Sequence, residues 1–454
     1  MRRILVLGSG FVATALVKHF CRRPDQSLTI ASNILEDAKQ LAAIESKQCT
    51  AVFLDVSDEP ALAKLIREHD IVVSLIPWTL HPIVARLCVQ EKVNMVTASY
   101  ITPTLQEFDL PAKEANIAIF NEIGFDPGLD HLGAMSIIDD VLDHGGKVES
   151  FVSMAAGLPV VEHADNPLGY KFSWSPKGVL LAAVSPAQYL KDGEVVKVEG
   201  GRTYYGAKDM PADMFRGLRL EGVPNRDSIQ FKEPYKLHDA HTILRGTMRF
   251  PGFATMIVCF SEMNLLSQDP CEELSKKGLK WNEFVASQMG CAVGDVKNVL
   301  KSRLEKVWGD DKRRLREAFR GLEWLEIMGD TIVPADKKQP IDALCAVLEE
   351  KLAFNDGERD LLLLHHEFIV DFDGRKERRT SKIIVSGDPY GMDGSISAMS
   401  RLVGVPCAVA TEAVLDGAIT RKGVFRPTEK EVYLPLLERL KETGISMIED
   451  TEEL

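Results

Sequence analysis

The chain has 454 residues, which is too long for one hydrophobic core and predicts two or three domains. Hydrophobic residues at 45% and charged residues at 27% are typical of a globular protein, and a net charge of −13 argues against a nucleic-acid partner. No apolar run reaches the roughly 18 residues that span a bilayer, so we expect no membrane partner and a cytoplasmic location. The eight cysteines show no zinc-binding spacing, so we expect reduced thiols and no metal site.

The chain begins with a strand, a glycine-rich turn and a helix. An apolar run from Arg3 to Leu7 leads directly into Gly-x-Gly-x-x-Ala at Gly8, Gly10 and Ala13. Gly8 permits the tight turn, and Gly10 leaves room for a pyrophosphate to approach the backbone. The pattern predicts a dinucleotide site, although turns of this kind also occur where nothing binds.

Five further apolar runs follow at strand spacing, with helical segments between them. They lie at 28–32, 51–56, 71–76, 94–97 and 117–120. Alternating strands and helices are typical of βαβ units. The first 124 residues therefore predict an α/β fold with a Rossmann-type, doubly wound parallel sheet.

The segment after the sixth run combines acids, glycines and a proline. Residues 121–131 read NEIGFDPGLDH, and they follow the carboxyl edge of the sheet, where ligands of open α/β folds bind. Asp126 is the best candidate for chemistry here. The alternatives are that its DPG triplet is only a turn, and that Asp130 only caps a helix beginning at His131.

The C-terminal half shows weaker patterns. Residues 256–338 have helical spacing, which predicts a helical insertion. Alternation in 368–372 and 381–385 predicts antiparallel strands joined by a hairpin. We expect the acidic run at 449–454 to be a solvated tail.

Eight ordered blocks of sequence share one resemblance. They are Gly8–Val12, Ser74–Pro77, Ala98–Tyr100, Glu122–His131, Asn166–Pro176, Pro224–Ser228, Arg245–Arg249 and Leu402–Pro406. Together they resemble the glutamate-forming saccharopine dehydrogenases, or saccharopine reductases, including the dehydrogenase half of bifunctional aminoadipic semialdehyde synthases. With the patterns above, the resemblance implies a Rossmann domain at 1–124 plus 396–454, an α+β substrate domain at 125–255 plus 339–395, and the insertion at 256–338.

The resemblance also implies a reaction. In this family a nicotinamide cofactor, NAD or NADP, accepts a hydride from the secondary amine of saccharopine, and hydrolysis of the imine gives glutamate and 2-aminoadipate 6-semialdehyde, a step of lysine metabolism. The expected partners are saccharopine and glutamate, and the expected assembly is a homodimer. The amine must lose a proton, and Asp126 and Tyr100, each on a loop after a strand, are the predicted catalytic pair.

Saccharopine carries three carboxylates, which calls for guanidinium groups in a protein of net charge −13. Of Arg226, Arg245 and Arg249, we expect Arg226 and Arg245 to hold the substrate. The predicted substrate-binding residues are Ser99, Tyr100, Asp126, Arg226, Arg245, Gly246 and Thr247. The predicted cofactor-binding residues are Gly8, Ser9, Gly10, Phe11, Val12, Ser32, Asn33, Asp55, Val56, Ser74, Leu75, Ile76, Pro77, Ala98, Ser99, Gly124, Phe125, Pro127 and Trp174.

Two positions depart from the family pattern. Ala155 replaces a family cysteine, so a mechanism that depends on that thiol is excluded. Ser32 and Asn33 replace the cysteine–arginine pair that suits a 2′-phosphate in NADP-using relatives. Because Asn33 is neither an acid for a free ribose hydroxyl nor a cation for phosphate, we expect NAD to be used at least as well as NADP.

Two other functions stay open. Carboxynorspermidine dehydrogenases and homospermidine synthases share the nucleotide domain, but their more cationic substrates should not need Arg226 and Arg245. A non-catalytic nucleotide-binding regulator should have lost Tyr100, Asp126 or these arginines, and none is lost.

Overall fold

A computed structural model describes all 454 residues. The strands are β1 (Arg2–Leu7), β2 (Gln26–Ser32), β3 (Cys49–Phe53), β4 (Ile71–Ser74), β5 (Asn94–Val96), β6 (Ala118–Phe120), β7 (Lys147–Pro159), β8 (Ala187–Lys191), β9 (Glu194–Val198), β10 (Lys208–Asp209), β11 (Glu221–Pro224), β12 (Thr242–Arg249), β13 (Asp360–Phe372), β14 (Arg375–Ser386), β15 (Gly423–Phe425) and β16 (Ile448–Glu453). The α-helices are α1 (Ala13–Phe20), α2 (Leu35–Ala42), α3 (Glu59–Arg67), α4 (His81–Glu91), α5 (Pro103–Gln106), α6 (Asp109–Glu114), α7 (Leu129–Asp143), α8 (Pro176–Val184), α9 (Phe253–Glu262), α10 (Trp281–Met289), α11 (Val296–Trp308), α12 (Lys312–Trp324), α13 (Pro340–Lys351), α14 (Ala398–Leu415) and α15 (Lys430–Glu442).

The N-terminal sheet has seven parallel strands in the order β15-β6-β5-β4-β1-β2-β3. The six strands predicted from the sequence are all present, and the fold class is confirmed. The short strand β15 comes from the far end of the chain and pairs with β6. Strand order reverses between β4 and β1, and this switch point is where doubly wound sheets bind dinucleotides.

Helix α14 supports the glycine-rich turn from behind. The Ser400 hydroxyl accepts the Ala15 N–H at 3.0 Å and donates to the Val12 carbonyl at 3.3 Å. A side chain at Gly404 would come within 2.6 Å of that same carbonyl, so the two helices approach closely. By length and composition α14 is the one helix able to cross a membrane, but 78% of it is buried.

The second sheet is mixed, in the order β10-β11-β12-β7-β13-β14-β16, with β8 and β9 branching from β12. Only β7 and β12 run parallel. The predicted hairpin is present, and its turn places Asp373 and Gly374 at φ of 52° and 96°.

The C-terminal acidic run is exposed to solvent, as predicted, but it is a strand and not a tail. Residues 448–453 form β16, which pairs antiparallel with β14 and so leaves the N-terminal domain to which we assigned it. Glu452 lies opposite Arg378, and a 3.6 Å ion pair joins them. The sequence of β16 shows no alternation of apolar and polar residues from which a strand could be predicted. The strand is stabilised instead by pairing its acidic side chains with a basic strand.

The second sheet lies between two apolar layers. Leu362, Leu364 and Phe368 of β13 pack with α7 and the helices of the N-terminal domain. Leu361 and Leu363 face the opposite way, towards the helical segment that includes α9 to α12. Residues at the carboxyl edge of the first sheet line one cavity together with residues of β7, β11 and β12 of the second.

Candidate active site

A cavity of about 260 Å³ lies at this junction. Val12, Ala98 and Gly124 line it from the first sheet, and Ala155 and Thr247 line it from the second. Of the predicted cofactor residues, those that line the cavity are Val12, Ala98, Gly124, Phe125, Pro127 and Trp174. The cavity is thus shared between the predicted cofactor and substrate sites.

The glycine-rich turn has the shape that a pyrophosphate requires. Gly8 has a φ of 103°, and a Cβ there would come within 3.1 Å of the Leu75 backbone. A Cβ on Gly10 would meet nothing within 4 Å, so the space in front of it is open. Helix α1 then begins after Val12, with the Ala13 N–H bonded to the Gly10 carbonyl at 3.0 Å and the Ala15 N–H bonded to Ser400, so the open space for a ligand is at the turn before the helix.

The end of β2 presents neutral groups to the ribose position. The Ser9 hydroxyl lies 2.8 Å from that of Ser32, which also accepts the Ile34 N–H at 3.1 Å. Asn33 is exposed. Asp55 is held in its own turn, where it accepts bonds from the N–H and hydroxyl two residues further on.

The remaining predicted cofactor residues lie along the same carboxyl edge, outside the cavity. They are Phe11, Val56, Leu75, Ile76, Pro77 and Ser99, with Ser74 fully buried. The Ser74 side chain is bonded to His81 and does not face a ligand.

Asp126 lies at the centre of a buried polar cluster. The Tyr100 hydroxyl donates to its Oδ1 at 3.0 Å, and Arg245 Nη2 donates to the same oxygen at 2.7 Å. Arg245 also pairs with Asp130, whose Oδ1 accepts the Gly128 N–H at 2.6 Å. The structure therefore brings the predicted catalytic pair together and adds a second carboxylate on the same guanidinium.

The two carboxylates of this cluster differ in proton affinity. Burial raises the pKa of Asp126, and attraction to Arg245 offsets only part of that rise. Burial also opposes ionisation of Asp130, but His131 and Arg245 keep its pKa below the usual value. Burial, and then the Asp126 charge, raise the pKa of Tyr100 well above its usual value. Asp130 thus stays anionic, and Asp126 is the group able to exchange a proton.

Arg245 does not have the position expected of a substrate clamp. It is only 6% exposed, its Nη2 is shared by two carboxylates while its Nε has no partner, and it does not line the cavity. Gly246 does not line the cavity either, and a Cβ there would lie 2.5 Å from the Met154 sulfur. Arg226 and Thr247 do line the cavity, as predicted.

Arg249 takes the place predicted for Arg245. It lines the cavity at 8% exposure, its Nη1 donates to the Thr247 hydroxyl at 2.6 Å, and its Nε has no partner. Its guanidinium lies over the rings of Tyr170 and Phe253, 5.3 and 5.2 Å from their centres. Neither Arg249 nor Arg226 forms an ion pair, so both cations are available to an anionic ligand.

Asp130 and His131 are more than helix-terminal residues. Helix α7 begins at Leu129, and Asp130 lies inside it as the partner of Arg245. His131 Nε2 lies 2.8 Å from Glu122 Oε2, and its Nδ1 lies 2.5 Å from the Tyr235 hydroxyl. His131 is therefore a buried hydrogen-bonding residue.

Two family models match the chain. One, described as the saccharopine dehydrogenase NADP binding domain, matches residues 4–120, and another, the saccharopine dehydrogenase C-terminal domain, matches residues 124–445. The chain belongs to the saccharopine dehydrogenase family. The resemblance drawn from eight blocks of sequence is thereby confirmed.

Family members with assigned activities align over almost the whole chain. The saccharopine dehydrogenase [NADP(+), L-glutamate-forming] of Pyricularia oryzae is 40% identical over 442 residues, which is 97% of each chain. The mitochondrial alpha-aminoadipic semialdehyde synthase of Bos taurus is 40% identical over 98% of this chain, which spans only 47% of the bovine protein. Since that relative is mitochondrial, the cytoplasmic location stays a prediction, as does the homodimer.

Solved structures of relatives show the same fold. The apo saccharopine dehydrogenase (L-Glu forming) of Saccharomyces cerevisiae superposes with a TM-score of 0.87 at 37% identity and covers all of both chains. The homospermidine synthase of Legionella pneumophila shares the fold alone, with a TM-score of 0.56 at 11% identity.

The comparisons support a nicotinamide cofactor but do not support the prediction that NAD is used at least as well as NADP. The matched family domain is described as NADP binding, and the fungal relatives are named as NADP(+) enzymes. Asn33 shows that a cation is missing at this one position, which does not establish that the site prefers NAD.

Several cavity residues were missed by sequence reasoning. They are Ala156, Gly157, Ala182, Thr203, Tyr204, Val223, Pro224, Asn225, Met399 and Val403. Most carry no chemistry of their own and offer no signal. Arg249 was considered with Arg226 and Arg245 but not chosen, although it lies two residues beyond Thr247 and four beyond Arg245, on one face of a strand.

Proposed function

We propose that this chain is an L-glutamate-forming saccharopine dehydrogenase, which oxidises saccharopine to glutamate and 2-aminoadipate 6-semialdehyde. The observation that carries the proposal is the buried guanidinium of Arg249, which faces the cavity beside Thr247 with no carboxylate partner. A buried cation of this kind is stabilised by an anionic ligand. The full-length similarity to L-glutamate-forming relatives supports the choice of saccharopine.

The residues of the cavity divide the chemistry between them. A bound nicotinamide supplies the hydride acceptor. Asp126 takes the proton of the substrate's secondary amine, since burial raises the pKa of this carboxyl and with it the affinity for a proton. Tyr100 orients that carboxylate by its 3.0 Å hydrogen bond, and Arg245 limits the rise in the carboxylate's pKa. With Ala155 lining the cavity, no thiol takes part at that position.

Absorbance at the reduced-nicotinamide band tests the proposal directly. The purified protein is mixed with NADP or NAD and with either saccharopine or carboxynorspermidine. Of the two substrates, only saccharopine should yield reduced cofactor. The guanidinium groups of Arg226 and Arg249 can bind carboxylates and not amines. Activity with carboxynorspermidine alone would show a polyamine enzyme, and no activity with either would favour a regulator.

Replacing either free arginine should weaken substrate binding. We expect Arg249→Met or Arg226→Met to raise the KM for saccharopine by about 10- to 100-fold, because a hydrogen bond to a charged group contributes roughly 1.5–3 kcal/mol. The KM for the cofactor should stay within about two-fold. Steady-state kinetics with each substrate varied in turn measures both constants.

Arg314→Met is the matched control for these variants. Arg314 also donates to a threonine, Thr255, and lies over an aromatic ring, that of Trp308 at 4.7 Å, but it lies outside the cavity. Its replacement should leave both KM values unchanged. Equal changes in the saccharopine and cofactor constants of Arg249→Met would contradict the assignment.

The proposed working cofactor is NADP, held at its 2′-phosphate by the neutral donors Ser9, Ser32 and Asn33. The NADP(+) names of the relatives support this choice, and so does the absence of an acid at position 33. Asn33→Arg should lower the KM for NADP by about 10-fold and leave that for NAD unchanged, because the added contact is charge-assisted. Asn33→Asp should shift the preference the other way, with the KM for NADP raised relative to that for NAD. Unchanged NADP affinity in both variants would place the phosphate elsewhere.

A further inference from the structure

His81 lies beneath the carboxyl edge of the first sheet and has no part in the proposed reaction. It is the first residue of α4, shortly after β4, and it is 0% exposed. Its Nδ1 lies 3.0 Å from the Ser74 hydroxyl, while its Nε2 lies 2.9 Å from the Ser99 hydroxyl and 3.2 Å from that of Thr97. One imidazole thus connects the ends of two neighbouring strands, β4 and β5.

The imidazole is a neutral bridge between these hydroxyls. Burial lowers the pKa of His81 to about 4, so the ring is neutral near pH 7. A neutral ring has one N–H donor and one acceptor nitrogen, so the hydroxyl on Nδ1 and the hydroxyls on Nε2 have opposite hydrogen-bonding roles. Ser74 and Thr97 are 0% and 1% exposed, whereas Ser99 is only half-buried. Of the three hydroxyls, that of Ser99 is the one a ligand can reach.

Ser99 also has the right place for a ligand contact. Its two neighbours, Ala98 and Tyr100, both line the cavity. A dinucleotide on a doubly wound sheet lies across the switch point, with one nucleotide over each half of the sheet. Because the ribose position at Ser32 belongs to the β1–β3 half, a bound nicotinamide ribose would lie over β4 and β5, where Ser99 lies.

We propose that His81 is a positioning residue that holds the Ser99 hydroxyl in the direction that binds the nicotinamide ribose of the cofactor. The inference rests on the cofactor site of the proposed function and not on its substrate. It is therefore tested by cofactor binding without saccharopine, so failure of the saccharopine assay does not decide it.

The test exploits the two nitrogens of the ring. An asparagine amide reaches about as far as Nδ1, and a glutamine amide about as far as Nε2, so His81→Gln retains the Ser99 contact and His81→Asn loses it. NADPH is titrated into each variant and followed by its fluorescence. We expect His81→Asn and Ser99→Ala each to raise the Kd about five- to ten-fold, within the range of one neutral hydrogen bond. His81→Gln should stay within about two-fold of the wild type.

A double variant shows whether His81 acts through Ser99. If it does, His81→Asn combined with Ser99→Ala binds NADPH no more weakly than Ser99→Ala alone. Additive losses in the double variant would overturn the proposal. So would a wild-type Kd in the folded Ser99→Ala variant, even if His81→Asn does not fold.

His69→Asn is the matched control. His69 is a second buried histidine of this domain, with its Nε2 2.7 Å from the Thr29 hydroxyl and its Nδ1 2.6 Å from the Leu65 carbonyl. It precedes β4 and so lies at the opposite edge of the sheet. Its replacement should lower Tm and leave the Kd for NADPH unchanged. An equal loss of NADPH affinity in His69→Asn would reduce the His81 effect to general destabilisation.

Discussion

Replacing Asp126 with asparagine is expected to lower turnover of saccharopine by about 100-fold or more, with cofactor affinity nearly unchanged. The amide keeps the shape of the carboxylate and can still accept from Tyr100 and Arg245, but it cannot take the amine proton. Tyr100→Phe should lose less, because the phenol orients the carboxylate and does not carry the main proton. Steady-state rates on the purified variants measure both effects.

The pH profile gives an independent reading of Asp126. In the wild type, kcat/KM should fall as pH falls through the raised pKa of this carboxyl, because the protonated form accepts no proton. In Asp126→Asn, kcat/KM should not show this fall at low pH.

Asp139→Asn is the matched control for Asp126→Asn. Asp139 is another buried aspartate that accepts from a tyrosine, Tyr433 at 2.9 Å, and pairs with a cation, Lys236 at 2.6 Å, but it lies far from the cavity in α7. The Asp139→Asn variant should have a lower Tm and should turn over saccharopine at the wild-type rate. If Asp126→Asn instead melts earlier and turns over like the wild type, Asp126 is only a turn residue.

Replacing Arg245 with methionine is expected to lower the free energy of unfolding by about 3–5 kcal/mol at neutral pH. The loss follows because Asp126 and Asp130 would be left buried without their shared cation. Without Arg245, burial and mutual repulsion raise the pKa of both carboxyls above their unfolded values. The folded variant then binds more protons than the unfolded chain, so the deficit should shrink as pH falls. Urea unfolding at two pH values measures this trend.

Two variants separate this explanation from loss of packing. Arg226→Met, at an exposed arginine without an ion pair, should change stability by less than about 1 kcal/mol. Arg245→Met combined with Asp130→Asn should regain part of the lost stability, because one unpaired charge is removed. Wild-type stability in Arg245→Met together with a raised KM for saccharopine would restore Arg245 as the substrate clamp.

The sequence by itself determined the parts of the protein that depend on local chemistry. The turn at Gly8 was predictable because a side chain there would strike the Leu75 backbone in any fold of this kind. The parallel strands were predictable because they are buried on both faces and form continuous apolar runs. Asp126 and Tyr100 were predictable as neighbours because both follow strands whose carboxyl ends meet at one edge.

Only the tertiary structure decided which groups are free and which are already paired. Arg245 and Arg249 lie four residues apart on one strand, and from the sequence we expected the first of them to hold the substrate. They differ because Asp126 and Asp130, 119 and 115 residues away, reach the first arginine and not the second. Likewise, residues 448–453 could be recognised as strand β16 only from their pairing with the basic strand β14. Such pairings depend on contacts between distant segments, and a charged side chain carries no local mark of whether a partner from elsewhere in the chain will neutralise it.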